Sequence, residues 1–489
     1  IALLARKTDR ADAPRVLFND KANASSAADR RAQLLLSIES PDSESTYIPA
    51  LPSAANRFSL RPSAVGAAYA AWPKLPTLAA IAPLNGPMEK RGGALIDNDR
   101  VALERRMRAY FDPDREWKDV RGTIGGLGQN AARFPAQETR AKAVRMGTFL
   151  EGRIQRYLVR PFDLRWAYVT PDRPIWNEPR PELLRTLTIA GGFVATRPAG
   201  VAKPEGVPLT WTLLLGDNDA LRGHAYYTPL CCRCDGGSAA NLSPAARVWL
   251  ADLGLPDPDS DRAIAALPWH HALAIGYAPA WLAENEAGIR QDWPRVPLPD
   301  TAALLRASAA LGARVAALLD PETPVPGVTA GTILPALAPI AVPTRQGGGA
   351  MRPEDYALTA GWGHAGKGGA VMPGRGRIVI RPYAADEAAT AAEATLLGAR
   401  THDVFLNATA CWRNVPETVW DFTIGGYQVL KKYLSYRERP LLGRTLTPAE
   451  LRHVRDTARR LAALCLMAPE LDANYRAAAS AHYRLPDVG

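Results

Sequence analysis

The side chains best suited to binding a polyanion lie near the end of the chain, between Val419 and Glu438. This stretch reads VWDFTIGGYQVLKKYLSYRE, and its two glycines separate an aromatic first half from a basic second half. Paired glycines let the backbone adopt positive φ and come close to a bulky group. Lysine and arginine interleaved with tyrosine suit a phosphate backbone with exposed bases. The candidate binding residues are Gly425, Gly426, Tyr427, Lys431, Lys432, Tyr436 and Arg437.

Helical spacing divides the basic half into two faces. If the stretch is helical from Val429, Lys432 and Tyr436 stand one turn apart, and Tyr433 and Arg437 form a second such pair. We expect one pair to face DNA and the other to flank the core. For Arg437 two roles stay open, base reading and structural support. An ordinary amphipathic helix with core aromatics and solvated cations explains the same pattern equally well.

A second basic segment, residues 356–385, contains no acidic residue. Lys367, Arg375 and Arg377 are its candidate phosphate contacts, and a solvated turn is the alternative. The run from Gly361 to Gly368 resembles a P-loop, but glycine stands where a P-loop has the Ser or Thr that holds Mg²⁺. No apolar strand leads into this run. An independent nucleotide-dependent enzyme is therefore only an alternative function.

Other catalytic and metal-binding patterns are incomplete. Cys231, Cys232 and Cys234 cluster, but no second pair or histidine follows at zinc spacing, so we predict no metal site. Residues 126–131 imitate a dinucleotide fingerprint without a strong preceding strand, which predicts a loop. Neither G-x-S-x-G nor H-E-x-x-H occurs. We therefore predict no catalytic residue in this chain.

Composition describes a folded, basic protein. The 489 residues are 47% hydrophobic and 22% charged, which indicates two or three globular domains. A net charge of +10 fits a polyanionic partner. Five cysteines are too few for a disulfide scaffold, which favours a reducing cytoplasm. We expect neither a membrane span nor a secretory signal, since no apolar run approaches the roughly 18 residues a span needs.

Local patterns predict a mixed α/β and α+β architecture. Strand-like runs alternate with helices that carry caps and amphipathic periodicity. We predict strands at 1–6, 15–20, 162–169, 209–215 and 377–383, helices at 22–40, 243–254, 300–319 and 447–467, and loop and linker at 41–88. In the strand at 162–169, Arg165 alternates with core-type positions, so that face could meet DNA while the other packs.

Several of these segments resemble the C-terminal specificity domain of type I single-polypeptide (type ISP) restriction–modification enzymes. The matching runs are GGYQ followed by KKYLSYRE, HDVFLNATACWRNVP from His402, RPFDLRWAY from Arg160 and, more weakly, WPRVPLP from Trp293. The resemblance covers about residue 90 to the end. The chain begins at Ile1 rather than Met, and we expect it to be a piece of a longer polypeptide.

The resemblance implies three parts. Residues 1–159 would hold the last strands of a methyltransferase-like domain and a linker, 160–343 the first part of a mixed α/β target-recognition domain, and 344–489 a C-terminal specificity subdomain with terminal helices. The implied partners are double-stranded DNA and the remainder of the methyltransferase, with helicase or nuclease parts possible. A salt bridge at a domain joint is as good an explanation of Arg160 to Asp163 as a DNA contact.

The resemblance also implies an activity for the parent enzyme: S-adenosylmethionine-dependent methylation of adenine N6 in phage defence. This chain lacks the Asn-Pro-Pro-aromatic loop that holds a flipped base and a glycine-rich S-adenosylmethionine loop, so we expect no cofactor within it. Its expected role is to recognise the DNA sequence. The competing function is a non-catalytic, protein-binding scaffold subunit of a phage-defence complex.

Overall fold

The computed structural model describes residues 16–19, 27–39, 47–52, 58, 60, 65–131, 134–201, 204–234, 237–366, 370–385, 387 and 390–486. The predicted strand at 1–6 and the candidate residues Lys367 and Gly368 lie outside them. Contacts divide the chain into two units, Ile1–Ala67 and Ala68–Gly489. The subdivision predicted at 159/160 and 343/344 stays a prediction.

Each of the four predicted helices has a counterpart among the described helices. They are α1 (Ala27–Glu39), α2 (Ala67–Ala71), α3 (Arg100–Phe111), α4 (Trp117–Val120), α5 (Ala136–Met146), α6 (Pro181–Thr186), α7 (Pro244–Asp252), α8 (Arg262–Gly276), α9 (Pro279–Gln291), α10 (Ala302–Leu319), α11 (Ala391–Leu397), α12 (Glu417–Trp420), α13 (Val429–Ser435), α14 (Arg439–Leu442), α15 (Pro448–Leu466) and α16 (Ala468–Ser480). Ser243 caps α7 and Thr447 forms a capping box with Glu450 on α15, as the sequence predicts.

The strands are short. They are β1 (Leu17–Phe18), β2 (Ile48–Pro49), β3 (Leu84–Asn85), β4 (Ile96–Asp97), β5 (Ile154–Arg160), β6 (Asp163–Tyr168), β7 (Phe193–Thr196), β8 (Thr210–Thr212), β9 (Leu215–Gly216), β10 (Tyr226–Pro229), β11 (Cys231–Cys234), β12 (Gly237–Ala240), β13 (Leu298–Pro299), β14 (Val342–Arg345), β15 (Gly363–Ala365), β16 (Val371–Pro373), β17 (Ile378–Arg381), β18 (Thr401–Phe405), β19 (Ala410–Pro416), β20 (Thr423–Ile424), β21 (Tyr427–Gln428) and β22 (His482–Tyr483). The mixed α/β fold class is thereby confirmed.

The strands form several small sheets rather than one large one. Three four-stranded sheets have the orders β4-β6-β5-β9, β3-β10-β7-β8 and β14-β19-β18-β17. The pairing is antiparallel except between β5 and β9, which run parallel. In the smaller unit, β1 pairs with β2. Among the described residues of the larger unit no single sheet dominates, so helices and loops supply much of its core.

Part of the predicted linker is well packed. In residues 41–88, α2 and a 3₁₀ turn at Leu75–Leu78 bury Trp72, Leu75 and Leu78. The prolines and serines of the segment suggested an extended linker, but its apolar side chains give it a place in the core. The prediction of a linker is therefore wrong for its second half.

Helix α10 packs along α8 in the larger unit. Its 18 residues have a mean hydropathy of 1.5, so by length and composition it could cross a membrane, a test that buried core helices also pass. No consecutive apolar run is that long, because Arg306 and Arg314 interrupt it. Leu305, Val315 and Leu319 are buried in the fold.

Gly312 lets these two helices approach closely. A Cβ at this position would lie only 1.6 Å from the carbonyl oxygen of His270 in α8. Backbone cannot move aside as the end of a flexible side chain can. The small residue therefore sets the distance between α8 and α10.

We predict that Gly312→Ala destabilises the protein by about 1–3 kcal/mol, the usual cost of overfilling a packed core. Alanine in an exposed helix position would instead stabilise by up to about 1 kcal/mol. Urea unfolding measures the difference. The control, Ala313→Gly at the neighbouring exposed position, should cost about 1 kcal/mol through helix propensity alone. A stabilised Gly312→Ala would contradict the close contact.

Candidate nucleic-acid interface

The turn between β5 and β6 contains the Arg-Pro-Phe-Asp motif. Arg160 and Asp163 are backbone partners on either side of the turn, in the antiparallel register of β5 and β6. Phe162 has a φ of +63°, a region that non-glycine residues rarely occupy. The Phe162 ring is buried, and its carbonyl accepts a hydrogen bond of 2.7 Å from Nε2 of His453 in α15. The turn is thus fixed from both its backbone and its side chains.

Asp163 is a buried carboxylate held between two arginines. Its Oδ2 accepts from Nη2 of Arg165 at 2.7 Å, and its Oδ1 accepts from Nη2 of Arg437 at 2.7 Å. The side chains of Asp163 and Arg437 are only 1% and 3% exposed. Burial alone raises the pKa of Asp163, but Arg165 and Arg437 outweigh it and hold that pKa well below its ordinary range.

Helix α13 and the two residues that follow it present the two predicted pairs on different sides. The helix begins at Val429, as predicted, and the Tyr433 ring is buried beneath the Arg437 guanidinium, with 3.6 Å between Cζ and the ring centre. Lys432 and Tyr436 are partly exposed, and the Lys432 Nζ lies 4.4 Å from the centre of the Tyr436 ring. The Tyr433–Arg437 pair flanks the core, as one half of the prediction required, while a DNA contact by Lys432 and Tyr436 stays a prediction.

The outward pair belongs to a larger group, which we call the cation–tyrosine cluster. Tyr436 lies under three cations, since Cζ of Arg165 is 4.6 Å and Cζ of Arg160 is 5.9 Å from its ring centre. Tyr427 is 5.2 Å from Arg160 and 5.4 Å from Lys432. The cluster consists of Arg160, Arg165, Tyr427, Lys432 and Tyr436. Cations stacked on tyrosine faces remain able to donate hydrogen bonds from their edges.

The three cations of the cluster have fewer carboxylate partners than charges. Arg160 forms a salt bridge with Asp217, with 3.6 Å between Nη1 and Oδ1, and Arg165 forms one with Asp163. Among the described residues no carboxylate forms a salt bridge with Lys432. Burial and the charge of Arg160 lower the pKa of Lys432 to about 8. Nε of Arg160 is buried without a hydrogen-bond partner in the described part of the chain. A bound anion would supply the counter-charge that Lys432 lacks among the described residues.

The glycine pair serves the protein's own packing. Gly425 and Gly426 have φ of +54° and +78°, and their N–H groups donate to the carbonyls of Val207 and Glu205 at 2.7 and 2.8 Å. A Cβ on Gly425 would lie 2.4 Å from Leu221. The bulky group that the glycines approach is therefore another part of the chain. Their turn places Tyr427 in the cluster.

Three other candidate cations, all at described positions, lie outside the cluster. Lys431 follows a different side of α13, because successive residues turn by about 100°. Arg375 and Arg377 are exposed and lie just before β17 in the sequence. Cζ of Arg377 lies 4.1 Å from the centre of the Phe405 ring. Lys367 lies between β15 and β16, outside the described residues. A DNA contact by any of these four stays a prediction.

The glycine-rich run before Lys367 does not have P-loop geometry. Gly363–Ala365 forms β15, which pairs antiparallel with β16, where a P-loop would continue into a helix. A Cβ on Gly363 would lie 1.9 Å from the Ser435 carbonyl, so the base of this hairpin packs on the end of α13. This geometry disfavours the nucleotide-dependent alternative.

Sequence reasoning missed two contributors to the cluster's surroundings. Arg160 was recognised only within its motif, and Arg222 was not singled out. Arg222 is exposed, and its charge lowers the pKa of Lys432 further. Arg160 could have been found by pairing its motif with the tyrosines of α13, whereas Arg222 carries no local sequence signal.

The comparison with known families identifies the fold. The type ISP C-terminal specificity domain matches residues 84–461, and the chain belongs to this family. No curated protein matches the sequence.

Three solved structures share the fold over most of this chain. A nuclease-deletion mutant of the type ISP restriction–modification enzyme LlaGI, in complex with a DNA substrate mimic, is 12% identical with a TM-score of 0.55, covering 96% of this chain and 39% of that one. The DrdV–DNA complex is 14% identical with a TM-score of 0.57, covering 91% and 42%. The ATP-dependent type ISP enzyme LlaBIII bound to DNA is 10% identical with a TM-score of 0.54, covering 91% and 27%. The chain therefore spans less than half of each of these proteins.

We predict that Asp163→Asn costs about 3–5 kcal/mol at pH 7, because it leaves Arg437 buried without its anion. The folded-state pKa of Asp163 is depressed, so its stabilising effect is complete above about pH 3.9, the pKa of a free aspartate. The effect is lost as the pH falls from there toward the folded-state pKa. Urea unfolding of both proteins across this range measures it.

Glu470→Gln is the control for this substitution. Glu470 also pairs with an arginine, Arg314, but both side chains are more than half exposed, so solvent screens the pair and its loss should cost far less. Equal effects of Asp163→Asn and Glu470→Gln would contradict the structural role of Asp163.

Proposed function

We propose that this chain is the DNA target-recognition part of a type ISP restriction–modification enzyme, and that the cation–tyrosine cluster is a contact to the DNA phosphate backbone. The observation that carries the contact is Lys432, which is half-buried on two tyrosine rings with no salt-bridged carboxylate among the described residues. Family membership supports the role, and the solved structures with this fold were determined with DNA.

The chemistry of the cluster suits a phosphate better than a protein partner. Three cations converge on one side of the molecule, and Nζ of Lys432 retains unused hydrogen-bonding capacity. A phosphate offers several acceptor oxygens to such groups. The tyrosine rings limit how far the cations can move, which fixes the direction in which they donate. Such contacts set the register of the protein on a duplex.

Arg437 has a supporting role in this proposal. Its guanidinium is bonded to Asp163 and Asn98 and covers the Tyr433 ring, and its side chain is 3% exposed. Of the two roles open from the sequence, the structural one fits these contacts. Arg437 holds α13 in place and lets Lys432 and Tyr436 make the contact.

The wider function concerns the parent enzyme. We assign to it methylation of adenine N6 with S-adenosylmethionine, in the cytoplasm, as part of restriction–modification and phage defence. The support is the type ISP resemblance, together with the short share of the solved enzymes that this chain spans. The base-binding and S-adenosylmethionine motifs are absent from the 489 residues, so other parts of the enzyme would supply the chemistry.

We predict that Lys432→Ala weakens binding to duplexes of every sequence by the same factor. Loss of one phosphate contact should reduce the slope of log affinity against log salt by about one, because one fewer counterion is released. Fluorescence anisotropy with two unrelated duplexes at several salt concentrations measures both quantities. Lys118→Ala, at a mostly exposed lysine on α4, is the control and should leave the slope unchanged.

Two results would contradict this contact. A folded Lys432→Ala protein that binds both duplexes like wild type removes the cluster from the interface. Wild-type protein that binds no duplex at any salt concentration favours the scaffold alternative instead.

We also predict that the purified 489-residue chain transfers no methyl group to DNA. The reason is the missing loop for a flipped base. Incubation with tritium-labelled S-adenosylmethionine and duplex DNA, beside an adenine methyltransferase as positive control, measures this. Labelled DNA would show that the chain holds a base pocket of another kind.

A further inference from the structure

The loop from Asp217 to Ala225 lies against the glycine turn of the cluster. The N–H of Arg222 donates to the carbonyl of Gly425 at 2.9 Å, and Leu221 fills the space that a side chain on Gly425 would need. The charge of Arg222 also acts on Lys432 and on Tyr427. The loop and the cluster therefore form one continuous surface, although Arg222 and Gly425 are 203 residues apart in sequence.

The loop is rigidly anchored below its tip. Asp217 donates its N–H to the Leu158 carbonyl at 2.8 Å and accepts from the Tyr157 hydroxyl at 3.1 Å, while the Asn218 N–H donates to Pro87 at 3.0 Å. The N–H of Ala225 closes the loop on the Asn218 carbonyl at 2.7 Å. Ala220, Leu221 and Ala225 are fully buried. Such a base holds the tip in one position.

The tip itself consists of three exposed residues. Gly223 and His224 have φ of +86° and +81°, so the chain reverses there, and Nδ1 of His224 lies 2.6 Å from Nδ2 of Asn218. Arg222 is exposed beside them. Among the described residues, none forms an ion pair or a side-chain hydrogen bond with its guanidinium. The other arginines of this surface, Arg160 and Arg165, are each paired with a carboxylate.

We propose that Arg222 reads a base, and that its guanidinium donates two hydrogen bonds to a guanine in the major groove. This inference rests on the proposed DNA contact of the cation–tyrosine cluster. The cluster fixes the phosphate backbone, and Arg222 stands next to it on a separate, rigid loop. Arginine donating to O6 and N7 of guanine is the commonest specific contact of this kind. A planar guanidinium with no competing partner is suited to it.

Selection from a randomised duplex pool tests the assignment. Wild-type protein should enrich a motif that contains a guanine whose replacement lowers affinity roughly 10- to 100-fold. Arg222→Ala should lose the preference at that one position and keep the preferences at the others. Arg222→Lys keeps the charge but lacks the two-pronged donor, so it should lose the same preference while its affinity for scrambled DNA stays within about twofold of wild type.

The controls separate the two proposals. Arg185→Ala, an exposed arginine on α6, should enrich the wild-type motif unchanged. If Arg222→Ala weakens all sequences equally, or enriches the wild-type motif with every position intact, base reading by Arg222 is wrong while the DNA contact of the cluster stands. If the wild-type protein binds no DNA, both proposals fall together. Circular dichroism and thermal unfolding check that each variant is folded.

Discussion

The buried carboxylate of Asp163 is the interaction on which the candidate interface depends. It joins the turn between β5 and β6 to Arg437, two residues beyond helix α13, across 274 residues of sequence. A carboxylate removed from water needs nearly all of its hydrogen-bonding capacity filled, and two guanidiniums do this here. Any displacement of α13 would leave charge unpaired in the interior. The same bonds that tie the helix down therefore determine where Lys432 and Tyr436 emerge.

Helix α13 is short, yet it organises two basic regions. One side contributes Lys432 to the cation–tyrosine cluster, and its end packs against Gly363 at the base of the β15–β16 hairpin. The exposed Arg375 and Arg377 follow that hairpin. Both regions therefore rest on the same helix, which fixes the position of one relative to the other.

Sequence reasoning predicted what depends on neighbouring residues. The caps of α7 and α15 and the two faces of α13 follow from spacing and side-chain chemistry, and the structure confirms them. Contacts between distant segments were not predictable in this way. The sequence around Asp163 does not indicate that Arg437 is its ion-pair partner. The sequence around Arg222 likewise does not indicate that its N–H bonds to Gly425. The RPFD motif marked an important place, but only the fold shows that its carboxylate faces inward while Arg160 faces the tyrosines.

The lowered pKa of Lys432, about 8, makes the charge of this surface adjustable. Without an anion, a part of the molecules carries a neutral amine at slightly alkaline pH. If a phosphate binds beside Nζ, as we propose, it favours the ammonium form, so binding at slightly alkaline pH takes up protons from solution. In that case the heat of association would include the ionisation heat of the buffer, and affinity would decline as the pH rises above about 8. Proton uptake thus reports directly on whether Lys432 meets an anion.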